Sequence, residues 1–242
     1  MKIGIIVQAR MGSSRLPGKV MKEVMGKTLL EHLILRLRQV RRSNEIIIAT
    51  TTDQKDDVIA NLAKSCGVKV FRGSEANVLE RYYLAAQKYG IDVIVRITSD
   101  CPVTDPSIVD KCIEFFLEHQ PVDYVSSGIK RTFPRGIDVE VLSFAALERA
   151  FKEAMFDNQK EHVTPYIKEN PDKFRIASFE GDSDYSAYRW TVDTAEDLDL
   201  IKQIYKKLYP EKPVFHMEDI LKLFAREPEL ENINRHVKQK ES

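Results

Sequence analysis

The first strand and the loop behind it, "KIGIIV" (2–7) and "QARMGSSRLPGK" (8–19), decide the fold. The apolar run predicts a strand that is buried on both faces, as in a parallel sheet covered by helices. The loop brings glycines, hydroxyls and the cations Arg10, Arg15 and Lys19 to the carboxyl end of that strand. Open α/β sheets bind ligands at this edge, so we expect the loop to hold phosphate groups.

Two known phosphate-binding patterns do not describe this loop. In the pattern G-x-x-x-x-G-K-[ST] four residues separate the glycines, whereas five separate Gly12 from Gly18, and Val20 replaces the hydroxyl residue. No helix is expected before Gly26, and a G-x-G-x-x-G motif is absent. A long irregular loop remains, in which three cations could neutralise a triphosphate. A solvated basic loop is the alternative. The remaining candidate nucleotide-binding residues of the loop are Ala9, Gly12, Ser13 and Ser14.

The rest of the chain predicts an α/β fold with a doubly wound, mostly parallel sheet. Further apolar runs, "EIIIAT" (45–50), "VKVF" (68–71), "DVIVRI" (92–97) and "VDYVS" (122–126), alternate with amphipathic helical stretches. Helix starts are marked by two capping boxes, Thr28 with Glu31 and Thr194 with Asp197. A strand is also expected at "YRWT" (188–191), leading into the second capped helix.

The alternation changes after about residue 128. "DNQKEHVTPYIKEN" (157–170) predicts a helix that bends or breaks at its central proline, and "FRIASFEG" (174–181) predicts a strand. Because the sequence contains no flexible linker, we expect one domain over 1–242 with an inserted α+β lobe at about 128–185.

Composition excludes several classes of protein. Of the 242 residues 43% are hydrophobic, which indicates a globular chain, and 37 basic residues balance 37 acidic ones. Nucleic-acid and membrane-surface proteins need a cationic excess, so neither partner is expected. No apolar run is long enough for membrane insertion, no signal peptide is evident, and three cysteines have neither disulfide nor zinc spacing. We therefore expect a cytoplasmic protein.

Two aspartates are candidate metal ligands. Asp100 follows the strand "DVIVRI" without a local structural task, whereas Asp105, directly before Pro106, is expected to cap a helix. Asp193 is free of capping if Thr194 and Asp197 form their capping box. Mg²⁺ takes one or two protein carboxylates together with phosphates. Local hydrogen bonding for Asp100 and capping for Asp193 are the alternatives.

Several long stretches resemble one family in the same order. They are "QARMGSSRLPGKVMKEVMGKTLLEH" (8–32), "RGSEANVLERYYLAA" (72–86), "ITSDCPVTDP" (97–106), "FPRGIDVEV" (133–141), "EHVTPYI" (161–167) and "RWTVDTAEDL" (189–198). Together they resemble the cytidylyltransferases that make CMP-activated acidic sugars (CMP-Kdo and CMP-sialic acid synthetases). The similarity is greatest to the branch called spore coat polysaccharide biosynthesis protein F.

The resemblance implies a nucleotide-diphospho-sugar transferase (Rossmann-like) fold and Mg²⁺-dependent transfer of CMP from CTP to an acidic sugar. It implies that Asp100 and Asp193 bind the metal. With the cations expected to neutralise the triphosphate, the candidate catalytic residues are Arg10, Arg15, Lys19 and Asp100. The resemblance also implies a homodimer through the middle lobe. It places the base and ribose near Arg72, Ser74, Asn77 and Arg81. The carboxylate of an acidic acceptor needs a cation, so we expect Arg135 to bind it, with Asp138 and His162 as further acceptor-binding candidates. Asn77 and Arg81 could equally be polar helix positions, and His162 an ordinary helix histidine.

This chain departs from the better-known synthetases, because "SDCP" (99–102) replaces a "GDEP" type of motif. That departure leaves the acceptor open. The alternative functions are a nucleotidyltransferase of the same fold using another triphosphate, a glycosyltransferase using a finished sugar nucleotide, and a non-catalytic nucleotide-binding subunit. Only nucleotidyl transfer releases pyrophosphate.

Overall fold

A computed structural model describes residues 1–239, and its centre is a seven-stranded sheet. The sheet order is β5-β4-β1-β6-β8-β7-β9, and β2 pairs with β3 in a separate hairpin. The strands are β1 Ile3–Gln8, β2 Glu23–Val24, β3 Lys27–Thr28, β4 Glu45–Thr51, β5 Lys69–Gly73, β6 Val93–Thr98, β7 Tyr124–Ser126, β8 Glu140–Ser143 and β9 Ile176–Ser178. Strands β5, β4, β1 and β6 are mutually parallel, and β8 is antiparallel to β6 and β7.

Helices cover both faces of this sheet. They are α1 Leu29–Leu37, α2 Asp57–Ser65, α3 Val78–Tyr89, α4 Pro106–Glu118, α5 Phe144–Glu153, α6 Asp157–His162, α7 Pro165–Glu169, α8 Ala195–Leu208 and α9 Met217–Arg226. The capping boxes at α1 and α8 form as predicted, and Asp105 caps α4. The doubly wound, mostly parallel α/β fold is confirmed.

Alternating side chains of the strands supply two hydrophobic cores. Ile5 and Val7 of β1 point into one core with α1, α4 and α8, whereas Ile6 points into the other with α3 and α5. All three side chains are fully buried. Burial on both faces explains why β1 is a continuous apolar run.

The order of the strands places a ligand-binding position at the end of β1. The chain builds β4 and β5 on one side of β1 and then places β6 on its other side. At such a switch point the loops after neighbouring strands diverge and leave a crevice at their carboxyl ends. The loops that follow β1 and β6 contain Lys19 and Asp100.

Two local predictions need correction. A 3-10 turn, Lys19–Met21, forms before Gly26, because Val20 is buried and draws the chain into the core. The expected strand at 188–191 is reduced to a single bridge between Arg135 and Arg189. Beyond this bridge, Val192 N–H donates to the Asp100 carbonyl. The backbone of this segment therefore pairs with the loop after β6 and not with a neighbouring strand.

The segment 128–185 is more closely joined to the sheet than its sequence suggests, since it supplies both β8 and β9. The helix predicted over 157–170 breaks into α6 and α7 at Val163, which has a φ of 72°. The separate role of this segment in acceptor binding and dimerisation stays a prediction.

Candidate active site

A cleft of about 680 Å³ lies at the carboxyl ends of β1 and β6. One wall is the loop behind β1, and the opposite wall comes from segment 128–185, including the start of α7. The cleft brings together most of the predicted site residues: Ala9, Arg10, Gly12, Ser13, Ser14, Arg15, Lys19, Arg81, Asp100, Arg135, Asp138, His162 and Asp193. Arg72, Ser74 and Asn77 do not line it.

The ammonium of Lys19 lies between the two predicted metal ligands. Its Nζ donates to Asp100 Oδ2 at 2.8 Å and to Asp193 Oδ1 at 2.9 Å. The 3-10 turn that begins at Lys19 follows Gly18, whose φ of 66° suits glycine and directs the lysine into the cleft. Burial alone would lower the pKa of Lys19, but the two carboxylates raise it above its ordinary value. Lys19 is therefore a charged group at neutral pH.

Asp193 has three cationic neighbours. Its Oδ1 accepts from Lys19, its Oδ2 accepts from Arg189 Nη2 at 2.8 Å, and the same Oδ2 forms an ion pair with Arg15 Nη2 at 2.9 Å. Although burial opposes ionisation, the neighbouring Lys19, Arg15 and Arg189 hold the pKa of Asp193 below its ordinary value. As the sequence predicts, capping is left to Thr194 and Asp197, and Asp193 faces the cleft.

The arrangement of oxygens fits Mg²⁺ held by two carboxylates. Asp100 and Asp193 come from distant segments, yet one oxygen of each points at the same cation, Lys19 Nζ. Mg²⁺ in phosphoryl-transfer sites takes this number of carboxylates and obtains its other ligands from water and phosphates. Among residues 1–239 no cluster of three or more His, Cys, Asp or Glu side chains is placed to hold a metal. Any metal bound here would therefore depend on its other ligands.

The remaining loop residues lie around an open space beside these charges. Arg10 is partly exposed, and its guanidinium is 3.7 Å from Glu75 and 3.6 Å from Glu161. Ser13 Oγ accepts weakly from Leu16 N–H at 3.4 Å. These long contacts leave Arg10 and the serine hydroxyls able to exchange partners for an anionic ligand.

Of the four residues predicted near the base, only Arg81 lines the cleft, and the other three make local contacts elsewhere. Arg72 donates to the carbonyls of Thr51 and Asp53, and Asn77 caps α3 by accepting from Glu80 N–H at 2.9 Å. Ser74 Oγ accepts from Asn77 N–H, so it orders the turn before α3. A nucleotide-binding role for these three residues stays a prediction that the cleft does not favour.

Arg81 is different, because it is only 1% exposed and still lines the cleft. Its Nη1 donates to the Ser74 carbonyl, and its Nε has no partner among the described residues. Burial lowers the pKa of Arg81 below its ordinary value. Arg81 therefore borders the cleft, and its nucleotide-binding role stays a prediction.

Across the cleft, Arg135 has no carboxylate within 4.0 Å among residues 1–239. Asp138, by contrast, is paired with Arg131 at 2.6 Å and accepts from Gly136 N–H. Burial, together with the nearby Arg131, lowers the pKa of Arg135. His162 ends α6 at the cleft wall, and burial lowers its pKa as well.

A buried ion pair that lines the cleft was not predicted from the sequence. Arg96 and Glu140 face each other in the register of β6 and β8 and form an ion pair. Glu140 also accepts from Tyr124 Oη and from Thr164 Oγ1. The available signal was a charged residue in the middle of each apolar strand, "VIVRI" (93–97) and "VEV" (139–141).

A family model described as cytidylyltransferase matches residues 4–239. Spore coat polysaccharide biosynthesis protein SpsF of Bacillus subtilis is 34% identical, with 93% of this chain and 94% of that protein covered. A 3-deoxy-manno-octulosonate cytidylyltransferase of Geobacter sulfurreducens is 30% identical over 50% of this chain and 48% of that enzyme.

One solved structure is similar to this chain over the whole length of both chains. The structure of a cytidylyltransferase from Leptospira borgpetersenii has a TM-score of 0.92 and 34% identity, and all of both chains is covered. Within residues 1–239, no helix combines the length and apolar character that crossing a membrane requires. From the family match, the full-length relatives and the shared fold, the chain belongs to the cytidylyltransferase family and is a nucleotidyltransferase.

Proposed function

We propose that this enzyme transfers CMP from CTP to a hydroxyl group of an acidic sugar and releases pyrophosphate. The single observation that carries the proposal is the position of Lys19, between Asp100 and Asp193 and beside the cationic loop behind β1. A triphosphate site next to two convergent carboxylates is what nucleotidyl transfer requires. The name of the Bacillus relative supports a place in surface polysaccharide or glycan biosynthesis.

The loop behind β1 binds the triphosphate in this proposal. Arg10, Arg15 and Lys19 exchange their present carboxylate partners for phosphate oxygens, and Ser13, Ser14 and the backbone near Gly12 donate further hydrogen bonds. Cations on the β- and γ-phosphates stabilise the negative charge that develops on pyrophosphate as it leaves. The chain thus contributes positioning and charge compensation, and no covalent enzyme intermediate is needed.

Asp100 and Asp193 would hold Mg²⁺, with its other positions taken by water and phosphate. When bound, Mg²⁺ supplies a Lewis acid that polarises a phosphoryl oxygen. Lys19 must leave the two carboxylates first, and the incoming phosphates give its ammonium a new anionic partner. We therefore expect the divalent cation to bind together with CTP.

The acceptor lies against segment 128–185. Arg135, which has no ion-pair partner among residues 1–239, binds the carboxylate of the acidic sugar, and Asp138 and His162 line the same wall. The acceptor hydroxyl oxygen forms a bond to the α-phosphorus, and the bond from this phosphorus to the bridging oxygen breaks. The bonding electron pair leaves with pyrophosphate, and the hydroxyl proton passes to solvent.

The proposal includes a homodimer formed through segment 128–185. Met155 and Phe156, next to one another in this segment, are 79% and 70% exposed, which is unusual for two large apolar residues. Sedimentation velocity tests the dimer. We expect the wild type to sediment as a dimer and Phe156→Ser to shift the equilibrium toward the monomer. A wild type that sediments as a monomer would contradict the proposed dimer.

Thermal unfolding with CTP, UTP, ATP or GTP, each with and without Mg²⁺, tests the nucleotide assignment. A ligand at a hundred times its Kd stabilises the fold by about 2.7 kcal/mol, which shifts Tm visibly. We expect the largest rise with CTP and Mg²⁺. A larger rise with another triphosphate would keep the chemistry and change the base. No rise with any of them would favour a glycosyltransferase or a binding subunit.

A further inference from the structure

We infer that Arg189, outside every predicted site, is the positioning residue that holds Asp193 in its metal-binding orientation. This inference rests on the proposed function, because it assigns a task to Asp193 in binding a divalent cation. Arg189 stands four residues before Asp193, forms the isolated bridge with Arg135 and is only 8% exposed.

The guanidinium of Arg189 joins two aspartates. Its Nε and Nη2 donate to the two oxygens of the fully buried Asp197, at 2.9 and 3.0 Å. The same Nη2 donates to Asp193 Oδ2 at 2.8 Å, and Nη1 donates to Gln239 Oε1 at 2.5 Å. Asn234 Nδ2 donates both to the Arg189 carbonyl and to Asp197 Oδ1. The planar guanidinium is thus fixed on a buried carboxylate before it reaches Asp193.

Asp193 is consequently held at both ends. Asp197 Oδ2 accepts from the backbone N–H of Asp193 at 2.9 Å, while Arg189 binds Oδ2 of its side chain. This leaves Oδ1 directed at the position now taken by Lys19 Nζ. Mg²⁺ requires nearly ideal octahedral geometry, so a carboxylate that presents one oxygen in a fixed direction favours its binding.

Arg189 differs from the other two cations on Asp193 in where it is anchored. Lys19 and Arg15 belong to the loop that, in the proposed function, turns toward the triphosphate. Arg189 is anchored on Asp197 and remains in place when the loop cations leave. It would then be the sole cation of the three that still orients Asp193 while CTP is bound.

The experiment measures Mn²⁺ binding by the loss of the free-ion EPR signal, with CTP present and acceptor absent, so that no turnover occurs. Arg189→Gln should weaken Mn²⁺ binding by about 10-fold or more, a usual effect of removing a group that orients a metal ligand. The affinity for CTP in EDTA, measured by thermal unfolding, should stay within about 2-fold. Gln239→Ala is the matched control, because it removes a contact of the same guanidinium away from Asp193 and should leave Mn²⁺ affinity unchanged.

A second variant covers the case in which Arg189→Gln does not fold beside the buried Asp197. Arg189→Lys keeps the charge but loses the planar fork, so it should fold, bind CTP and still weaken Mn²⁺ binding several-fold. A folded variant of either kind with wild-type Mn²⁺ affinity would overturn the assignment of Arg189 alone. A wild-type enzyme that binds CTP but takes up no Mn²⁺ with it would overturn the metal site and this inference together.

Discussion

The ammonium of Lys19 lies 2.9 Å from Oδ1 of Asp193, although 174 positions separate the two residues in the sequence. Asp100 binds the same ammonium at 2.8 Å. One cation of the chain therefore occupies the point on which two carboxylates converge, and in the proposed function a divalent cation would compete with this lysine for that point. This competition links the nucleotide-free enzyme to the proposed chemistry.

Lys19→Met should allow the enzyme to bind a divalent cation without nucleotide. Since the methionine carries no charge, Asp100 and Asp193 are left facing each other and attract Mn²⁺. We expect Mn²⁺ binding by EPR in the variant and little in the wild type when CTP is absent. Turnover with CTP should fall by about 10²–10³-fold, because a charge that stabilises the leaving group is lost. Lys130→Met, at an exposed position, is the control and should bind Mn²⁺ as the wild type does. Equal Mn²⁺ binding by the wild type, Lys19→Met and Lys130→Met would contradict the competition.

Asp100→Asn should abolish measurable pyrophosphate release while the fold and metal-free CTP binding persist. The amide is almost isosteric with the carboxylate, but it is a poor ligand for Mg²⁺ and carries no charge to attract it. Circular dichroism, Tm shifts with CTP in EDTA and pyrophosphate release measure the three properties. Asp199→Asn changes an exposed aspartate and should retain wild-type turnover. Persistent turnover in Asp100→Asn would remove Asp100 from the metal site.

The pairing of Lys19 with Asp193 should stabilise the fold over a broad range of pH. Because the pKa of Asp193 is lowered from 3.8, its contribution is present above that value and is lost as the pH falls through the folded-state pKa. Because the pKa of Lys19 is raised from 10.5, its contribution is present below that value and is lost as the pH rises through the folded-state pKa. The contribution of the pair therefore spans the neutral range.

Urea unfolding of the wild type and Asp193→Asn at several pH values measures this contribution. The free energy of unfolding of the variant should be lower by about 1–3 kcal/mol near neutral pH, and the difference should shrink in strong acid. Asp199→Asn should show no such difference. A difference that grows as the pH falls would contradict the assigned shift of Asp193.

Arg135→Ala should raise the KM for an acidic acceptor and leave the KM for CTP unchanged. A charge-assisted hydrogen bond is worth about 1.5–3 kcal/mol, which corresponds to roughly 10–150-fold in affinity. Arg135→Lys should recover part of this loss. Steady-state kinetics with each substrate varied in turn makes the measurement, with the exposed Arg226→Ala as the control. A rise in the KM for CTP instead would place Arg135 at the nucleotide.

Asn77→Ala should act on stability and not on nucleotide binding. Its side chain caps α3, and removal of such a cap lowers the free energy of unfolding by about 1 kcal/mol. Urea unfolding measures that loss, and the KM for CTP should remain within about 2-fold of the wild type. A large rise in this KM at unchanged stability would instead support the nucleotide contact that the resemblance implies.

Local chemistry made much of this molecule predictable from its sequence. Apolar runs and the capping pairs Thr28–Glu31 and Thr194–Asp197 determine where strands and helices lie, and the carboxyl end of β1 determines where the cleft opens. The orientation of Asp193 toward the cleft was also predictable, since Thr194 and Asp197 cap α8 and leave the Asp193 side chain free of that task. These features depend on neighbouring residues, which the sequence displays directly.

Contacts between distant segments were not predictable in the same way. The ion pair of Arg96 with Glu140 depends on the antiparallel entry of β8 beside β6, and no local pattern indicates that register. The strand expected at 188–191 fails because the backbone there binds the loop at Asp100. The contacts of Arg189 were unpredictable for the same reason, since they come from Asp197 and Asn234, which fold around it.

The reaction itself is the most direct test of the proposed activity. The enzyme is incubated with Mg²⁺, a panel of acidic sugars and either CTP, UTP, ATP or GTP, and the products are followed by ³¹P NMR. We predict that CTP with an accepted sugar gives pyrophosphate and a CMP phosphodiester in equal amounts. Pyrophosphate and a diester formed from another triphosphate in preference to CTP would contradict the cytidylyl assignment, as would a product that retains the β-phosphate.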